Sequence, residues 1–210
     1  MVVCRQVNME AIMELILSTR NQSKAQQIKA LLGDLPHQVL TLSDAGVAGE
    51  AVEDGTTLEE NALKKARFAF EQTGKPSIAD DTGLFIDALN GKPGIHAARW
   101  AGRDKSTEDI MQYTLKQLRH VLPQDRTATF KTVAVAVLSA DEHKVFVGEA
   151  RGMILPAPRC DCQPKMPYSA IFVPDGQPKV WAEMSVEEEN TISHRGKAFL
   201  QLRDFLTTLC

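Results

Sequence analysis

Cysteine, aromatic residues and long apolar runs are all scarce in this sequence. Its 210 residues include four cysteines, too few and too scattered for the disulfide framework of a small secreted protein. No apolar run reaches the roughly 18 residues that cross a bilayer, so we expect no membrane association. The segment from Met1 to Glu14 lacks the apolar core and cleavage site of a secretory signal. We therefore expect a cytoplasmic protein.

The chain also lacks an excess of basic residues over acidic ones. Lysine and arginine number 24 against 27 acidic residues, which gives a formal net charge of −3. A protein that binds duplex nucleic acid needs a basic face to displace counterions from phosphates, so we expect no nucleic-acid polymer as a partner. A small anionic ligand remains compatible with this charge, because a few local donors are enough to hold it.

Cys160 and Cys162 lie close together in a proline-rich stretch. A zinc site there would need two more soft ligands, and neither a CxxC motif nor a nearby histidine supplies them. We therefore interpret the pair as reduced thiols in a loop.

Strand and helix patterns alternate in the first half of the chain. Residues 15–17 and 38–42 predict short strands on either side of a helix, which Gly33 should end in the left-handed conformation. The spacing Thr57-Leu58-Glu59-Glu60 is that of a capping box and predicts the start of a second helix. The segment Ser77-Ile78-Ala79 then predicts a short buried strand that ends in two carboxylates.

The second half of the chain favours antiparallel strands. Residues 127–138 and 144–147 are rich in β-branched and aromatic residues and predict a long hairpin, preceded by a surface helix over 106–122. This order predicts an α/β fold with a mixed sheet. The chain contains no internal repeat or linker. We expect residues 1–14 to be an N-terminal extension and residues 15–210 to be a single domain.

A polar turn, Ser18-Thr19-Arg20-Asn21-Gln22-Ser23-Lys24, joins the first strand to the first helix. Free backbone N–H groups and the positive end of the helix dipole favour an anion at such a turn. Thr19 and Asn21 add side-chain donors, and Lys24 adds a mobile positive charge for phosphate. The GxxxxGK[ST] spacing of a Walker loop is absent, and an asparagine here is also an ordinary helix cap.

Asp80 and Asp81 follow the predicted strand 77–79. Burying two carboxylates costs free energy unless they meet a cation or hydrogen-bond donors. Because strand neighbours point to opposite faces, one can face a cleft while the other braces the turn. A carboxylate in a cleft suits Mg²⁺, which takes one or two protein oxygens together with phosphates and water, and Glu53 is a candidate second ligand. An ordinary Asp-Gly turn is the alternative.

His194 and Arg195 precede the last predicted helix. Arginine offers a planar fork of donors and histidine a second donor or acceptor, which suits a phosphate or the edge of a base. The alternative is a helix-capping turn with a solvated arginine. Upstream, Tyr168 and Phe172 offer rings that either stack on a base or fill the core.

Taken together, these segments resemble the inosine triphosphate pyrophosphatase family, whose members cleave non-canonical purine nucleoside triphosphates. The likeness runs in order along nearly the whole chain, from Leu15 to Leu209. The segments that carry it are Ser18–Lys24, Glu53–Ala62, Ala79–Leu84, Ala88–Ile95, Ala98–Gly102 and Ile192–Ala198.

The resemblance implies an elongated, two-lobed α/β fold with a mixed, twisted central sheet and a cleft between the lobes. It also implies a homodimer and Mg²⁺-dependent release of pyrophosphate from a nucleoside triphosphate. Its implied site residues fall into three groups. They are Thr19, Asn21 and Lys24 for the triphosphate, Glu53 and Asp81 for the metal, and Thr82, His194 and Arg195 for contacts to the rest of the substrate. Asp81 would also accept the proton of the attacking water.

Three positions depart from the family pattern. Arg20 stands where glycine is usual, and Met166-Pro167-Tyr168-Ser169-Ala170 stands where the family has Phe-Gly-Tyr/Trp-Asp-Pro. Glu189 stands where the family has a lysine before Asn-x-Ile-Ser-His-Arg. We therefore add Tyr168, Ser169 and Glu189 to the predicted substrate-binding residues, at a base end that differs from the family pattern.

The exchange at Glu189 predicts a changed base preference. The family's lysine is a donor suited to the 6-keto oxygen of inosine or xanthosine, whereas an ionised glutamate is an acceptor and would repel that oxygen. We expect weak cleavage of inosine and xanthosine triphosphates and better cleavage of an amino-bearing or otherwise modified base. The alternative is that Glu189 belongs to a solvated acidic run, Glu187-Glu188-Glu189.

The sequence therefore predicts a Mg²⁺-dependent enzyme that converts a nucleoside triphosphate to the monophosphate and pyrophosphate. A catalytically weak nucleotide-binding or sensing protein that retains the fold is the rival hypothesis. A phosphatase that releases orthophosphate would fit the metal but not the family.

Overall fold

The computed structural model describes residues 12–209. Its first strand begins at Glu14, one residue before the predicted start of the domain at Leu15. The predicted N-terminal extension lies mostly outside the described residues, as do Cys4 and Cys210.

One mixed sheet of seven strands runs through the described chain. The strands are β1 (Glu14–Leu17), β2 (Gln38–Thr41), β3 (Ser77–Ile86), β4 (Pro93–Gly94), β5 (Thr127–Val137), β6 (His143–Ile154) and β7 (Phe172–Pro174). Their order is β2-β1-β3-β5-β6-β7, and β4 pairs with β3. β1 is parallel to β2 and β3, while the other pairs are antiparallel. The predicted α/β fold with a mixed sheet is confirmed.

Helices cover both faces of this sheet. They are α1 (Gln22–Leu31), α2 (Leu58–Thr73), α3 (Thr107–Gln117), α4 (Val186–Ile192) and α5 (His194–Thr207). Small residues of α2 pack with Val133 and Val135 of β5, whereas α1 and α5 pack with Ala134 and Ala136. Because strand neighbours point to opposite faces, α2 lies on one face and α1 and α5 on the other. No helix among residues 12–209 is long and apolar enough to cross a membrane.

Two apolar clusters occupy opposite ends of the long strands. The first contains Leu84 of β3 and Phe130 of β5, together with residues of α3 and the segment around Trp181. The second contains Ile78 of β3 and Ala134 of β5, together with α1 and α5. Residues 80–83 of β3 therefore lie where the strand passes from one cluster to the other.

β3 is longer than the sequence indicated. The predicted strand covered residues 77–79, but pairing with β5 continues from Ser77 to Ile86, so Asp80 and Asp81 lie inside the strand and not in an Asp-Gly turn. Gly83 is also a strand residue. A Cβ there would stand 2.9 Å from the carbonyl oxygen of Gly94, so glycine permits the close approach of β4.

The helix ends follow local signals in some places and not in others. Thr57 caps α2 by accepting from the backbone N–H of Glu60, but the Glu60 carboxylate accepts from Thr56, so the predicted capping box is only half formed. Gly74 ends α2 in the left-handed conformation. The left-handed helix end predicted at Gly33 is wrong, because α1 ends in a turn at Leu32 and Gly33 has no positive φ.

Two further boundaries were misplaced in the sequence analysis. The surface helix predicted over 106–122 begins after a complete Ser106 capping box but ends at Gln117. β6 extends to Ile154 although the sequence indicated only 144–147. In the second half of β6 the exposed positions are the polar residues Glu149 and Arg151, which alternate with buried residues. This part of the strand therefore lacks the continuous apolar run that marks a buried strand in a sequence.

Candidate active site

The candidate site lies along an open stretch of β3. β5 pairs with one side of β3 over its whole length. On the other side, β1 reaches only Ser77 and Ile78, and β4 reaches only Leu84 and Phe85. The chain leaves β1 after Leu17, so the turn that leads into α1 runs beside the open stretch. The phosphate-binding turn and the two aspartates predicted from the sequence are thereby brought together.

Asp80 is buried and ion-paired on the face that carries α1 and α5. Its Oδ2 lies 3.0 Å from Lys24 Nζ and 3.7 Å from Arg195 Nε, and the Thr82 hydroxyl donates to it over 3.3 Å. Burial opposes ionisation, but the charges of Lys24 and Arg195 outweigh it and hold the pKa of Asp80 below its usual range. Asp80 therefore holds Lys24 and Arg195 in place at the wall of the cleft.

Asp81 points to the opposite face, toward α2. Its Oδ1 lies 3.1 Å from Lys65 Nζ, and Asn61 Nδ2 donates to its Oδ2 over 3.4 Å. Asn61 and Lys65 are four residues apart, so one face of α2 presents both. Burial raises the pKa of Asp81 even though Lys65 opposes the shift. This shift favours the protonated form of Asp81 in the metal-free site, and a cation bound beside the carboxylate would oppose it.

Glu53 and Asp81 converge on a single cation. The Lys65 ammonium lies 3.2 Å from Glu53 Oε1 and 3.1 Å from Asp81 Oδ1. Among residues 12–209 no group of three or more acidic, histidine or cysteine side chains could hold a metal by itself. Mg²⁺ does not require such a cage, since it is commonly bound by one or two carboxylates with substrate phosphates and water. The pair fits a magnesium ion that arrives with a phosphorylated ligand.

The turn before α1 is ordered by its own side chains. Thr19 Oγ1 accepts from the Asn21 backbone N–H over 3.2 Å, and Asn21 Oδ1 accepts from the Lys24 backbone N–H over 3.2 Å. Asn21 is therefore a helix cap, which leaves its side-chain N–H groups for a ligand. Arg20, where the family pattern has glycine, donates to the carbonyls of Val47 and Gly49 and thereby ties the turn to the loop that leads to Glu53.

The far end of the cleft is aromatic. The His194 ring stacks on Phe130 with centroids 4.7 Å apart, and Tyr168 donates its hydroxyl to the Ala97 carbonyl over 2.8 Å. Burial, assisted by the Arg195 charge, holds the pKa of His194 well below its usual range, so its imidazole is neutral. His194 Nδ1 and Trp181 Nε1 are buried and have no hydrogen-bond partner among the described residues. Unpaired buried polar atoms in a cleft wall suit a ligand that supplies their partners.

Two alternatives from the sequence analysis are wrong. Arg195 is buried and hydrogen-bonded to Gln27, so it is not a solvated residue of a capping turn. Glu189 is buried at 4% exposure and lines the cleft, whereas Glu187 and Glu188 of the same acidic run are exposed. Phe172 fills the core, as one of the alternatives proposed.

Ser169 has a local role that the sequence did not indicate. Its hydroxyl oxygen accepts from the Gln163 backbone N–H over 2.8 Å, and the hydroxyl donates to the Met166 carbonyl over 2.8 Å. Ser169 therefore holds the loop that carries Met166 and Tyr168 into the cleft wall. The nearby Cys160 and Cys162 are free thiols.

All residues predicted for the site line one cleft made of two adjoining pockets, of about 220 Å³ and about 250 Å³. Asn21, Lys24 and Glu53 line both pockets, while Thr19 lines the second. The remaining predicted residues line the first pocket. They are Asp81, Thr82, Tyr168, Ser169, Glu189, His194 and Arg195.

The sequence analysis missed several cleft residues. One is Lys65, which contacts Glu53 and Asp81. Another is Lys165, which lines both pockets. The aromatic end of the cleft is formed by Phe130 and Trp181. The spacing of Asn61 and Lys65 after the Thr57 cap was a usable signal for a polar helix face. No comparable signal marks Phe130, because an aromatic residue in a β-branched run also suits an ordinary core strand.

The chain matches the Ham1 family over residues 15–205. The dITP/XTP pyrophosphatase of Geobacter sulfurreducens is 40% identical over 192 residues, which cover 91% of this chain and 96% of that protein. The solved HAM1 protein of Coxiella burnetii is 34% identical with a TM-score of 0.84, and the match covers 94% of this chain and all of that one. The Staphylococcus aureus Ham1 protein gives a TM-score of 0.81 at the same identity and coverage.

The chain belongs to the Ham1 family. The resemblance found in the sequence and the enzyme class that it implied are thereby confirmed. The likeness covers both ends of the cleft, so the phosphate turn, the two acidic residues and the aromatic wall all lie within the matched region.

Proposed function

We propose that this Ham1-family protein hydrolyses a nucleoside triphosphate to the nucleoside monophosphate and pyrophosphate, with Mg²⁺ as its cofactor. One observation carries the proposal. The Glu53 and Asp81 carboxylates converge on one cation beside a turn built to receive an anion, in a cleft that continues into an aromatic pocket. A nucleotide has the same order of chemical groups, with phosphates at one end and a flat base at the other.

Each residue then has a defined task. The backbone of the turn before α1 and the Lys24 ammonium bind the phosphates, and Asp80 fixes Lys24 in place. Glu53 and Asp81 would hold the Mg²⁺, which when bound neutralises charge on the triphosphate. Asp81 accepts a proton from water as the water oxygen bonds to the α-phosphorus. The bond from that phosphorus to the bridging oxygen breaks, and the oxygen leaves with pyrophosphate.

The substrate class is supported by the relatives and by the aromatic end of the cleft. The Geobacter sulfurreducens and Thermoanaerobacter pseudethanolicus relatives are named dITP/XTP pyrophosphatases. We extend to this chain the cleavage of a non-canonical or modified nucleoside triphosphate, but not their choice of base. A homodimer and a cytoplasmic location remain predictions from the sequence. Analytical ultracentrifugation tests the first, and the location of the protein at its native level of expression tests the second.

The proposal is tested with Asp81→Asn, which removes the carboxylate charge at nearly constant volume. We expect the wild type to release pyrophosphate and monophosphate in equal amounts from its best substrate. The variant should lose about 10²- to 10⁴-fold in turnover, the usual value of a catalytic base. Its melting temperature should stay close to that of the wild type, because Lys65 keeps Glu53 as a partner.

Asp141→Asn is the matched control, since Asp141 is exposed in the loop between β5 and β6. It should leave turnover unchanged. A panel of natural and modified nucleoside triphosphates, assayed separately for pyrophosphate and orthophosphate, distinguishes the rival functions. Binding without turnover would indicate a sensing protein, and release of orthophosphate would indicate a phosphatase. Either result, or an active Asp81→Asn variant, would refute the proposed mechanism.

A further inference from the structure

Residues 48–54 form a segment without regular structure between β2 and α2. None of them is buried, and no hydrogen bond between backbone groups joins them to any other part of residues 12–209. A segment with few buried contacts and no backbone pairing is held only by the side chains that reach it. Glu53, one of the two acidic residues proposed for the metal, lies in this segment. Its position therefore depends on contacts at the two ends of the segment.

α2 holds the end of the 48–54 segment. The Lys65 ammonium lies 3.2 Å from Glu53 Oε1, and the Gly55 backbone N–H, just beyond the segment, donates to Asn61 Oδ1 over 2.9 Å. Lys65 is shared with Asp81, which it contacts over 3.1 Å. A bound cation would compete with the Lys65 ammonium for these two carboxylates. The ion pair with Lys65 is therefore not the contact that holds Glu53 for a metal.

Arg20 holds the start of the segment. Its Nη2 donates to the carbonyls of Val47 over 3.0 Å and Gly49 over 2.7 Å, and its Nε donates to the Gly49 carbonyl over 3.1 Å. Nε also lies 3.3 Å from Glu50 Oε1, but the Glu50 side chain is 66% exposed, and exposed ion pairs contribute little. The two carbonyls are thus the main contacts. A guanidinium presents its donors in a fixed planar fork, whereas a lysine ammonium is a compact charge on a flexible stem.

Arg20 also belongs to the turn proposed to bind phosphates. Its neighbours Thr19 and Asn21 order the backbone of that turn through their own hydrogen bonds. The Arg20 side chain therefore joins the phosphate turn to the segment that carries Glu53, and both line the second pocket. Glycine, the usual residue of the family pattern at this position, has no side chain to make this connection. The contact is thus a feature of this chain and not of the family pattern.

We propose that Arg20 is a positioning residue that fixes Glu53 for the divalent cation. It acts through the backbone of residues 47–50 and not through contact with the cation or a phosphate. The inference rests on the proposed function only for the assignment of Glu53 to the metal. The competing interpretation is a direct contact from Arg20 to a phosphate, since Arg20 lines the second pocket. The two interpretations predict different behaviour of Arg20→Lys, which keeps the charge and loses the fork.

The first test measures the binding of Mn²⁺ to the nucleotide-free protein by electron paramagnetic resonance. Mn²⁺ takes the same oxygen ligands as Mg²⁺. Arg20→Ala should weaken this binding by about 10- to 100-fold, the usual cost of losing a group that orients a metal ligand. Arg20→Lys should lose nearly as much. Arg67→Ala removes the same side chain at an exposed position of α2 and should bind Mn²⁺ as the wild type does.

The second test separates positioning from a phosphate contact. Inorganic pyrophosphate is titrated into the metal-free proteins by isothermal calorimetry. If Arg20 only positions Glu53, its two variants match the wild type in this titration, whether the wild type binds pyrophosphate or not. A direct contact would weaken binding in Arg20→Ala and largely restore it in Arg20→Lys, because lysine binds phosphate as a point charge. That pattern would overturn the proposal, as would a wild type that binds no Mn²⁺ or an Arg20→Ala variant with unchanged Mn²⁺ affinity.

The third test needs no ligand. Backbone amide order parameters of residues 49–51 should lie near ~0.85 in the wild type and fall below ~0.6 in Arg20→Ala, and a rigid segment in the variant would overturn the proposal. The melting temperature should change little, because the segment buries none of its residues.

Turnover distinguishes this inference from the proposed function. In Arg20→Ala the Mg²⁺ concentration for half-maximal turnover should rise by the same factor as the loss of Mn²⁺ affinity. Turnover at saturating Mg²⁺ should stay close to that of the wild type, because excess metal refills the site. A wild type without turnover, combined with the expected loss of Mn²⁺ affinity in the variant, would refute only the proposed function and would support the role of Arg20.

Discussion

The position of Lys24 in the cleft was predictable from the sequence, but its ion pair was not. Its place after a polar turn predicted a phosphate contact, and it does line both pockets of the cleft. The sequence could not show that its ammonium lies 3.0 Å from Asp80, because that partner comes from a strand distant in the chain. Residue type and position therefore predicted a place for Lys24 in the cleft, and its phosphate contact stays a prediction, while the ion pair with Asp80 depended on tertiary structure.

Removing the Lys24 side chain should have two effects. Lys24→Ala should weaken triphosphate binding far more than nucleoside binding, because its ligand partner is a phosphate. It should also destabilise the fold, since the Asp80 side chain is 1% exposed and would keep only the longer ion pair with Arg195 and the hydrogen bond from the Thr82 hydroxyl. Breaking a buried pair from one side costs roughly 3–5 kcal/mol, and Arg195 should keep the cost at or below the lower end of that range. Isothermal titration and urea unfolding measure the two effects.

Lys29→Ala provides the control on the same helix. Lys29 pairs with Asp44 over 3.2 Å, but both side chains are more than two-fifths exposed. Exposed pairs contribute about 0–1 kcal/mol, so this variant should unfold and bind almost as the wild type does. Equal losses of nucleoside and triphosphate affinity in Lys24→Ala would remove Lys24 from the phosphate site.

Helix starts that follow local signals were predicted better than strand lengths that depend on distant pairing. The starts predicted at Thr57 and Ser106 are confirmed, whereas the left-handed helix end at Gly33 and the end of the surface helix at residue 122 are wrong. β3 and β6 both extend well beyond their predicted bounds, because their length follows from pairing with β5. The predicted strand ended before Asp80 and Asp81, but the opposite orientations that strand alternation predicted for the two side chains are confirmed, since Asp80 pairs with Lys24 of α1 and Asp81 with Lys65 of α2.

The start of α5 depends on a glycine in β6. A Cβ at Gly148 would stand 2.1 Å from the His194 carbonyl oxygen and 2.6 Å from the Ala198 backbone nitrogen, so α5 and β6 could not keep their present separation. We expect Gly148→Ala to displace the helix end that carries His194 and Arg195. Overpacking of this kind costs about 1–3 kcal/mol or more. The unfolding midpoint should fall, and nucleotide affinity should fall with it.

Gly33→Ala is the control for Gly148→Ala, because it adds the same methyl group at a position where that group meets no close neighbour. A Cβ there would meet only carbonyl oxygens at 3.5 and 3.6 Å, and the residue has no positive φ. This variant should be as stable as the wild type, or more stable by roughly 0.4–1 kcal/mol through a less flexible unfolded chain. A Gly148→Ala variant with unchanged stability and affinity would show that α5 is not held in place by this contact.

At the scale of the whole molecule, the cleft is a consequence of how two apolar clusters share long strands. Residues near Ile78 and Ala134 pack in one cluster, and residues near Leu84 and Phe130 pack in the other. The family resemblance located the residues of both cleft ends from the sequence. It could not give the convergence of Glu53 and Asp81 on Lys65, which depends on how α2 packs on β3, nor the burial of Glu189, which depends on how α4 packs against α5 and α1.

Shared strands should also make the two clusters unfold as one unit. Both tryptophans, Trp100 and Trp181, pack in the first cluster, so their fluorescence reports on that end, whereas far-UV circular dichroism reports on the whole chain. We expect the two signals to give the same urea midpoint. The decisive variant is Leu202→Ala, fully buried in the second cluster, which should cost about 2–5 kcal/mol. Leu209→Ala, at an exposed leucine just beyond α5, should shift neither signal.

If the two clusters unfold together through β3 and β5, the stability lost by Leu202→Ala in the second cluster also destabilises the first. The urea midpoint measured by fluorescence then falls as much as the midpoint measured by circular dichroism, although neither tryptophan lies in the second cluster. If instead the dichroism changed at lower urea while the tryptophan signal kept its wild-type midpoint, the two ends would be independent units. The cleft would then lie between bodies that open separately, and Asp80 to Gly83 would act as a hinge. We expect coincidence, because β5 pairs without interruption with β3 from Ser77 to Ile86 and with β6 from Thr127 to Val137.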